Sequence, residues 1–218
     1  EDAGAGAVVL YSLFEEQVRT MRQFATYCHD HHHVSASEAA KQFESAESPV
    51  GLDDYLNHIH HAKESVDIPI IASLNCTDLG DWVECAANME QAGADALELN
   101  IYFMPTDMDM TAEQAEDVYL RVLKADKSTV DIPVAVKLSP FFTNVANMGR
   151  RLDKTWANGL VLFNRFCQPD LDPKTLRVVP NIQLSTPYDL RLPMHWIAIL
   201  YGHVKADLAA TGGIYTAE

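Results

Sequence analysis

Apolar residues gather in this chain into short runs set at a regular spacing. The run in VDIPVAVKLSP (130–140) has an echo sixty-four residues upstream, VDIPIIASLN (66–75). In each copy an Asp-Ile-Pro corner leads into β-branched and small apolar residues, a composition suited to a strand buried on both faces. A polar residue closes each run, Lys137 in one and Asn75 in the other. A second repeat interleaves with the first: DAGAGAVVL (2–10), QAGADALEL (91–99) and TWANGLVLF (155–163) each read as helix end, tight turn and buried strand. Strands therefore begin about every thirty residues, the length of one strand plus one crossover helix.

Between the runs the period changes to that of a helix. FEEQVRTMRQFATY places Phe14, Val18 and Met21 on one face, and 52–65 carries Leu56 and Ile59 as its stripe. Asp78 stands where it caps a helix through Trp82, Cys85, Ala86 and Met89, which Gly93 ends. Thr111 and Gln114 make a capping box, and 190–204 reads as a helix with Trp196, Ile199 and Leu200 inward.

Such alternation predicts an α/β fold with a parallel sheet, and we expect an incomplete (β/α)8 TIM barrel with about six βα units visible, forming one domain over 1–218. A barrel is preferred to an open doubly wound sheet because no GxGxxG follows an early strand and because polar residues recur at the ends of many strands. These are Asn75, Asn100, Lys137 and Asn164. Glu98 and Asn100 alternate with Leu97 and Leu99 and are expected to point into the barrel. Without a first and a last strand the chain reads as a fragment of a longer protein, and its open sheet edges invite pairing with a second copy as a homo-oligomer.

Composition narrows the partners. With 218 residues, 48% of them hydrophobic, the chain can bury a large core. A net charge of -15 speaks against nucleic acid or an anionic membrane, and no apolar run approaches the roughly 20 residues that span a bilayer. Cys28, Cys76, Cys85 and Cys167 lack CxxC spacing, as reduced thiols of a cytoplasmic protein would. The run Cys28-His-Asp-His-His-His33 is crowded for a metal site and reads as a solvated insert, so no metal is expected. His58, His60 and His61 read as a solvated helix face, and Asp107 and Asp109 as a solvated loop without the Gly and Glu of a calcium site.

Two positions break the pattern. Trp156 stands where the other turns have Gly4 and Gly93, and Asp126 falls on the apolar face that holds Leu120 and Leu123.

The candidate chemistry lies at the strand ends. Gly212-Gly213 follows a late strand, where glycine lets backbone N–H groups approach a phosphate. The polar, Pro-containing segment 168–189 is long enough to be a lid over a small-molecule substrate. Lys137 suits a Schiff-base amine of a lyase or aldolase, or an inward lysine paired with Glu98.

Four stretches carry a family resemblance: ELNIYFMP (98–105), VAVKLSPFF (134–142), LVLFNRF (160–166) and ATGGIYTAE (210–218). They resemble the FMN-binding strands of class 1 dihydroorotate dehydrogenases, and more closely the dihydroorotate dehydrogenase-like branch. The resemblance implies an FMN barrel with the flavin across its C-terminal mouth, acting as an oxidoreductase on a CH–CH group in pyrimidine biosynthesis. It would place Lys137 at the flavin ring and make Asn75, Asn100 and Asn164 hydrogen-bonding residues for flavin or substrate, with Gly212 and Gly213 on the phosphate. Where the family has a Cys or Ser base after the strand-end Asn, this chain has Ile101-Tyr102-Phe103-Met104-Pro105. Tyr102 is the candidate acid or base there, or else packs. The family lysine at the end of the first visible strand is replaced by Tyr11, followed by Ser12. From other classes, the lyase using Lys137 and a catalytically silent fragment that only binds partners stay open.

Overall fold

A computed structural model describes residues 4–14, 51–75, 82–101, 103–164, 170–179 and 184–216. The helix expected after Phe14, the Cys28–His33 run, the Asp78 cap, and Tyr102 lie outside the described residues. The chain divides into two compact units, 1–100 with 125–133, and 101–124 with 134–218. Each is described by itself.

The first unit holds β1 (Val8–Phe14), α1 (Leu52–Ser65), β2 (Ile70–Asn75), α2 (Trp82–Gln91) and β3 (Ala96–Asn100). β1 pairs parallel with β2, Val8 beside Ile70 and Leu13 beside Leu74, and β2 pairs parallel with β3, Leu74 beside Leu99. As the short apolar runs predict, β2 and β3 are covered on both faces, and Trp82, Cys85, Ala86 and Met89 of α2 are buried. On α1 the buried pair is Tyr55 and Ile59 rather than Leu56 and Ile59, because the Tyr55 hydroxyl finds polar partners in the sheet. His58, His60 and His61 are exposed, as expected.

The repeated Asp-Ile-Pro corners do the same work twice. Proline has no N–H to give, but its carbonyl accepts: Val8 N donates to Pro69 O and Leu97 N to Pro133 O, both at 2.9 Å. Side-chain oxygens take up neighbouring amides. Asp95 Oδ2 accepts from Ile70 N at 2.7 Å, and Glu90 Oε1 from Asp131 N and Ile132 N.

The second unit holds α3 (Ala112–Lys127) as far as Lys124, β4 (Val134–Leu138), α4 (Val145–Lys154), β5 (Gly159–Leu162), the antiparallel pair β6 (Asp170–Leu171) and β7 (Val178–Val179), a 3-10 turn (Pro187–Leu190), α5 (Arg191–Leu200) and β8 (Asp207–Ala210). β4, β5 and β8 run parallel, with Lys137 beside Val161 and Val161 beside Ala209. Thr111 and Gln114 form the expected box, each accepting from the other's backbone N–H. Asn144 caps α4 by accepting from Asn147 N. Asp153 Oδ1 accepts from Lys205 N and Ala206 N, holding the turn that precedes β8.

In this unit one sheet face is fully buried by Val134, Val136, Leu138, Leu160 and Leu162. Gly149 of α4 lets that helix lie against Leu160 and Leu200, where an added Cβ would come within 3.2 Å of Leu200. The other face, with Ala135, Lys137, Gly159 and Val161, is only half-buried. The expectation of β4 buried on both faces thus fails here, because its partners across the ladder on that face are small. Helix α5 is shorter than the 190–204 expected, since Tyr201 leaves helical geometry and Gly202 turns to φ 76°. Of its inward-expected residues Leu200 is buried, Trp196 is half-buried and Ile199 remains 38% exposed.

Candidate functional site

The polar residues at the strand ends of the first unit form one connected cluster. Ser73 Oγ donates to Glu98 Oε1 at 3.1 Å, Ser12 Oγ lies 2.8 Å from Ser73 Oγ, and Asn100 Nδ2 donates to Ser12 Oγ at 3.0 Å. Ser73, Glu98, Asn100 and Asn75 are all buried. Glu98 and Asn100 therefore share a face, as their alternation with Leu97 and Leu99 predicts.

Ser12 reaches this cluster through an irregularity. The β1–β2 register shifts between Val9 and Ser12, and in β1 the buried residues are Leu10 and Leu13, three apart instead of two or four. Tyr55 accounts for the shift. Its hydroxyl approaches Tyr11 O at 2.9 Å and Ser73 O at 3.1 Å as a donor and accepts from Ser73 N at 2.9 Å, so a side chain replaces part of the ladder. Burial pushes the Tyr55 hydroxyl up to about 12, which keeps it protonated and able to donate. Tyr11, in the place of the family lysine, turns outward: it is 49% exposed, edge-on to Tyr55 and stacked on His58.

In the second unit Lys137 sits half-buried near the end of β4, on the face it shares with Ala135. Ala135, Gly159 and Ala209 on that face are too small to fill it, which leaves room beside the ammonium. Asn164 follows β5 and its N–H donates to Leu138 O at 2.6 Å.

The glycine pair has the backbone the sequence predicts, with φ 84° at Gly212 and 73° at Gly213. A Cβ on Gly213 would fall 2.6 Å from Leu190 N and 2.7 Å from Thr186 O, so only glycine fits. Gly213 N donates to Ser185 Oγ at 3.1 Å, and the Tyr215 hydroxyl donates to Ser185 O. Ser185, and not the glycines alone, is thus part of this loop. The residues fit a phosphate there: the Ser185 hydroxyl accepts from Gly213 and keeps its own proton to donate.

Near the end of β4 a cavity of about 150 Å³ opens between Phe103, Pro105, Ala115, Tyr119, Phe141 and Phe142. Tyr119 meets Phe142 edge-on and donates to Ile101 O at 3.2 Å, with burial pushing its hydroxyl up to about 12.

Sequence reasoning placed Asn75 and Asn100 at strand ends in one unit and Lys137, Asn164, Gly212 and Gly213 in the other. It missed Ser12, Ser73, Tyr55 and Ser185. Serine is too common to stand out in one sequence, and the partner of Ser12 lies 61 residues away. Among the described residues no helix is long and apolar enough to cross a membrane.

The family model described as dihydroorotate dehydrogenase matches residues 47–218. A dihydroorotate dehydrogenase B (NAD(+)) catalytic subunit of Geobacillus kaustophilus is 31% identical over 77% of this chain and 55% of its own length. The same subunit of Malacoplasma penetrans is 34% identical over 57% of this chain and 42% of its own. Among solved structures, DHODH of Eimeria tenella in complex with ferulenol superimposes with a TM-score of 0.51 at 16% identity, over 76% of this chain and 54% of that one. The fold is thus that of a TIM-barrel neighbour, and the chain spans about half the length of the curated relatives it matches. With its sequence matched to the family over all but its first 46 residues, the chain belongs to the dihydroorotate dehydrogenase family.

Proposed function

We propose that the chain is the flavin-binding part of an FMN-dependent oxidoreductase that acts on a CH–CH group, dihydroorotate being the substrate that its relatives' names indicate. The observation that carries this reading is in the second unit: a glycine pair in left-handed backbone after β8, backed by Ser185, in the same unit as a half-buried strand-end lysine.

Gly212, Gly213 and Ser185 would hold the phosphate by donated hydrogen bonds. Lys137 would supply positive charge at the ring, and Asn75, Asn100 and Asn164 would fix flavin or substrate by their amides. Bound FMN supplies the two-electron acceptor that no side chain here can supply. Tyr102 takes the place of the family's Cys or Ser base and is the proposed proton acceptor. Nothing in the family assignment favours the Schiff-base lyase.

Titrating the chain with FMN and following flavin fluorescence tests this reading. Stoichiometric quenching, weakened at least tenfold by Lys137→Ala, is expected. A cooperatively folded chain that leaves FMN fluorescence unchanged would sink the oxidoreductase reading.

A further inference from the structure

The cluster in the first unit has a direction, and proton counting fixes it. Ser73 has one hydroxyl proton and gives it to Glu98 Oε1, so toward Ser12, 2.8 Å away, Ser73 can only accept. Ser12 must then give its own proton to Ser73, and can only accept from its other neighbour. That neighbour is Asn100, with Nδ2 at 3.0 Å. The carboxamide is planar, so with Nδ2 held on Ser12 its Oδ1 is turned to the other side.

We propose that Glu98, Ser73 and Ser12 are a positioning relay that holds Asn100 as a hydrogen-bond acceptor toward its ligand, so that the group it meets must be an N–H or O–H donor. A free asparagine amide can flip and serve either polarity. Anchored through two hydroxyls to a carboxylate, it serves one, and a carbonyl or carboxylate oxygen is disfavoured at that position. Tyr55 belongs to the device, since its hydroxyl sets the register shift that carries Ser12 to the cluster. The inference rests on the flavin reading only for the identity of the ligand.

The experiment therefore has a ligand-free arm and an FMN arm. In the chain alone, the side-chain amide signals of Asn100, assigned in the nitrogen-15 NMR spectrum by Asn100→Asp, are expected to be shielded from solvent exchange. Ser12→Ala should abolish that shielding, and Ser12→Thr, which keeps the hydroxyl, should restore it. Glu98→Gln, whose amide can donate as well as accept, should leave two amide orientations. In the FMN arm Ser12→Ala should weaken binding about tenfold while Ser12→Thr stays within about twofold. Asn100 signals that ignore both Ser12→Ala and Glu98→Gln would overturn the relay, whether or not FMN binds. If the signals respond as expected but the unaltered chain does not bind FMN, the relay stands and the flavin reading falls.

Discussion

Asp126 is fully buried, and neither of its carboxylate oxygens has a hydrogen-bond partner. Its neighbours along the chain, Val122, Leu123 and Val130, are buried hydrophobic residues. Burial raises its acidity constant from 3.8 to about 7. Below pH 3.8 folded and unfolded chains both hold the proton. As pH rises toward 7 only the unfolded chain releases it, so stability is lost across that interval, on the order of 4 kcal/mol in all. Asp126→Leu should remove this slope, so that urea unfolding at pH 8 matches that at pH 5 far more closely than in the unaltered chain. Trp156 is the second such residue. Its φ is 67° and its side chain is 70% exposed, so the strain is not offset by burial. Left-handed backbone costs a non-glycine residue about 1–2 kcal/mol. After allowing for the extra freedom glycine has when unfolded, Trp156→Gly should stabilise by about 0.5–1 kcal/mol, read as a raised thermal midpoint. Both positions were visible in the sequence, because each breaks a repeat that its counterparts obey.

At the scale of elements the repeats were equally legible. The two Asp-Ile-Pro corners, the three helix-end turns and the Thr111–Gln114 box fold as their spacing predicts. The shift in β1 was not legible. A bulge leaves no composition mark, and the residue that causes it lies on α1, 44 residues beyond Tyr11. Lys137 and the glycine pair could be found because lysine is rare in a buried strand and glycine marks left-handed turns. Ser12, Ser73 and Ser185 carry no such mark. Tyr55→Phe tests the wedge directly. It keeps the ring but leaves the amide and carbonyl of Ser73 short of a buried partner, at a cost of about 1–3 kcal/mol. Hydrogen exchange at the Ser73 amide should quicken more than at Leu74, and equal rates at both would contradict the role given to the hydroxyl.

The whole chain carries a net charge of -15, against which a phosphate-bearing ligand must bind. Local donors at Gly212, Gly213 and Ser185 act over hydrogen-bond distances, where salt screens little. The diffuse repulsion acts over the Debye length, about 30 Å at 0.01 M and about 10 Å at 0.1 M salt. FMN binding should therefore strengthen by several-fold between those salt concentrations, measured by fluorescence quenching. Weakening over the same range would show that local cations such as Lys137 dominate the field instead.

The exposed indole of Trp156 also gives the protein an optical handle. The chain has three tryptophans: Trp82 buried in the first unit, with half-buried Trp196 and Trp156 in the second. A collisional quencher such as iodide should reach Trp156 in the native chain and spare Trp82. Light emitted under iodide would then come mainly from the first unit, so its melting could be followed separately from the second without attaching any dye.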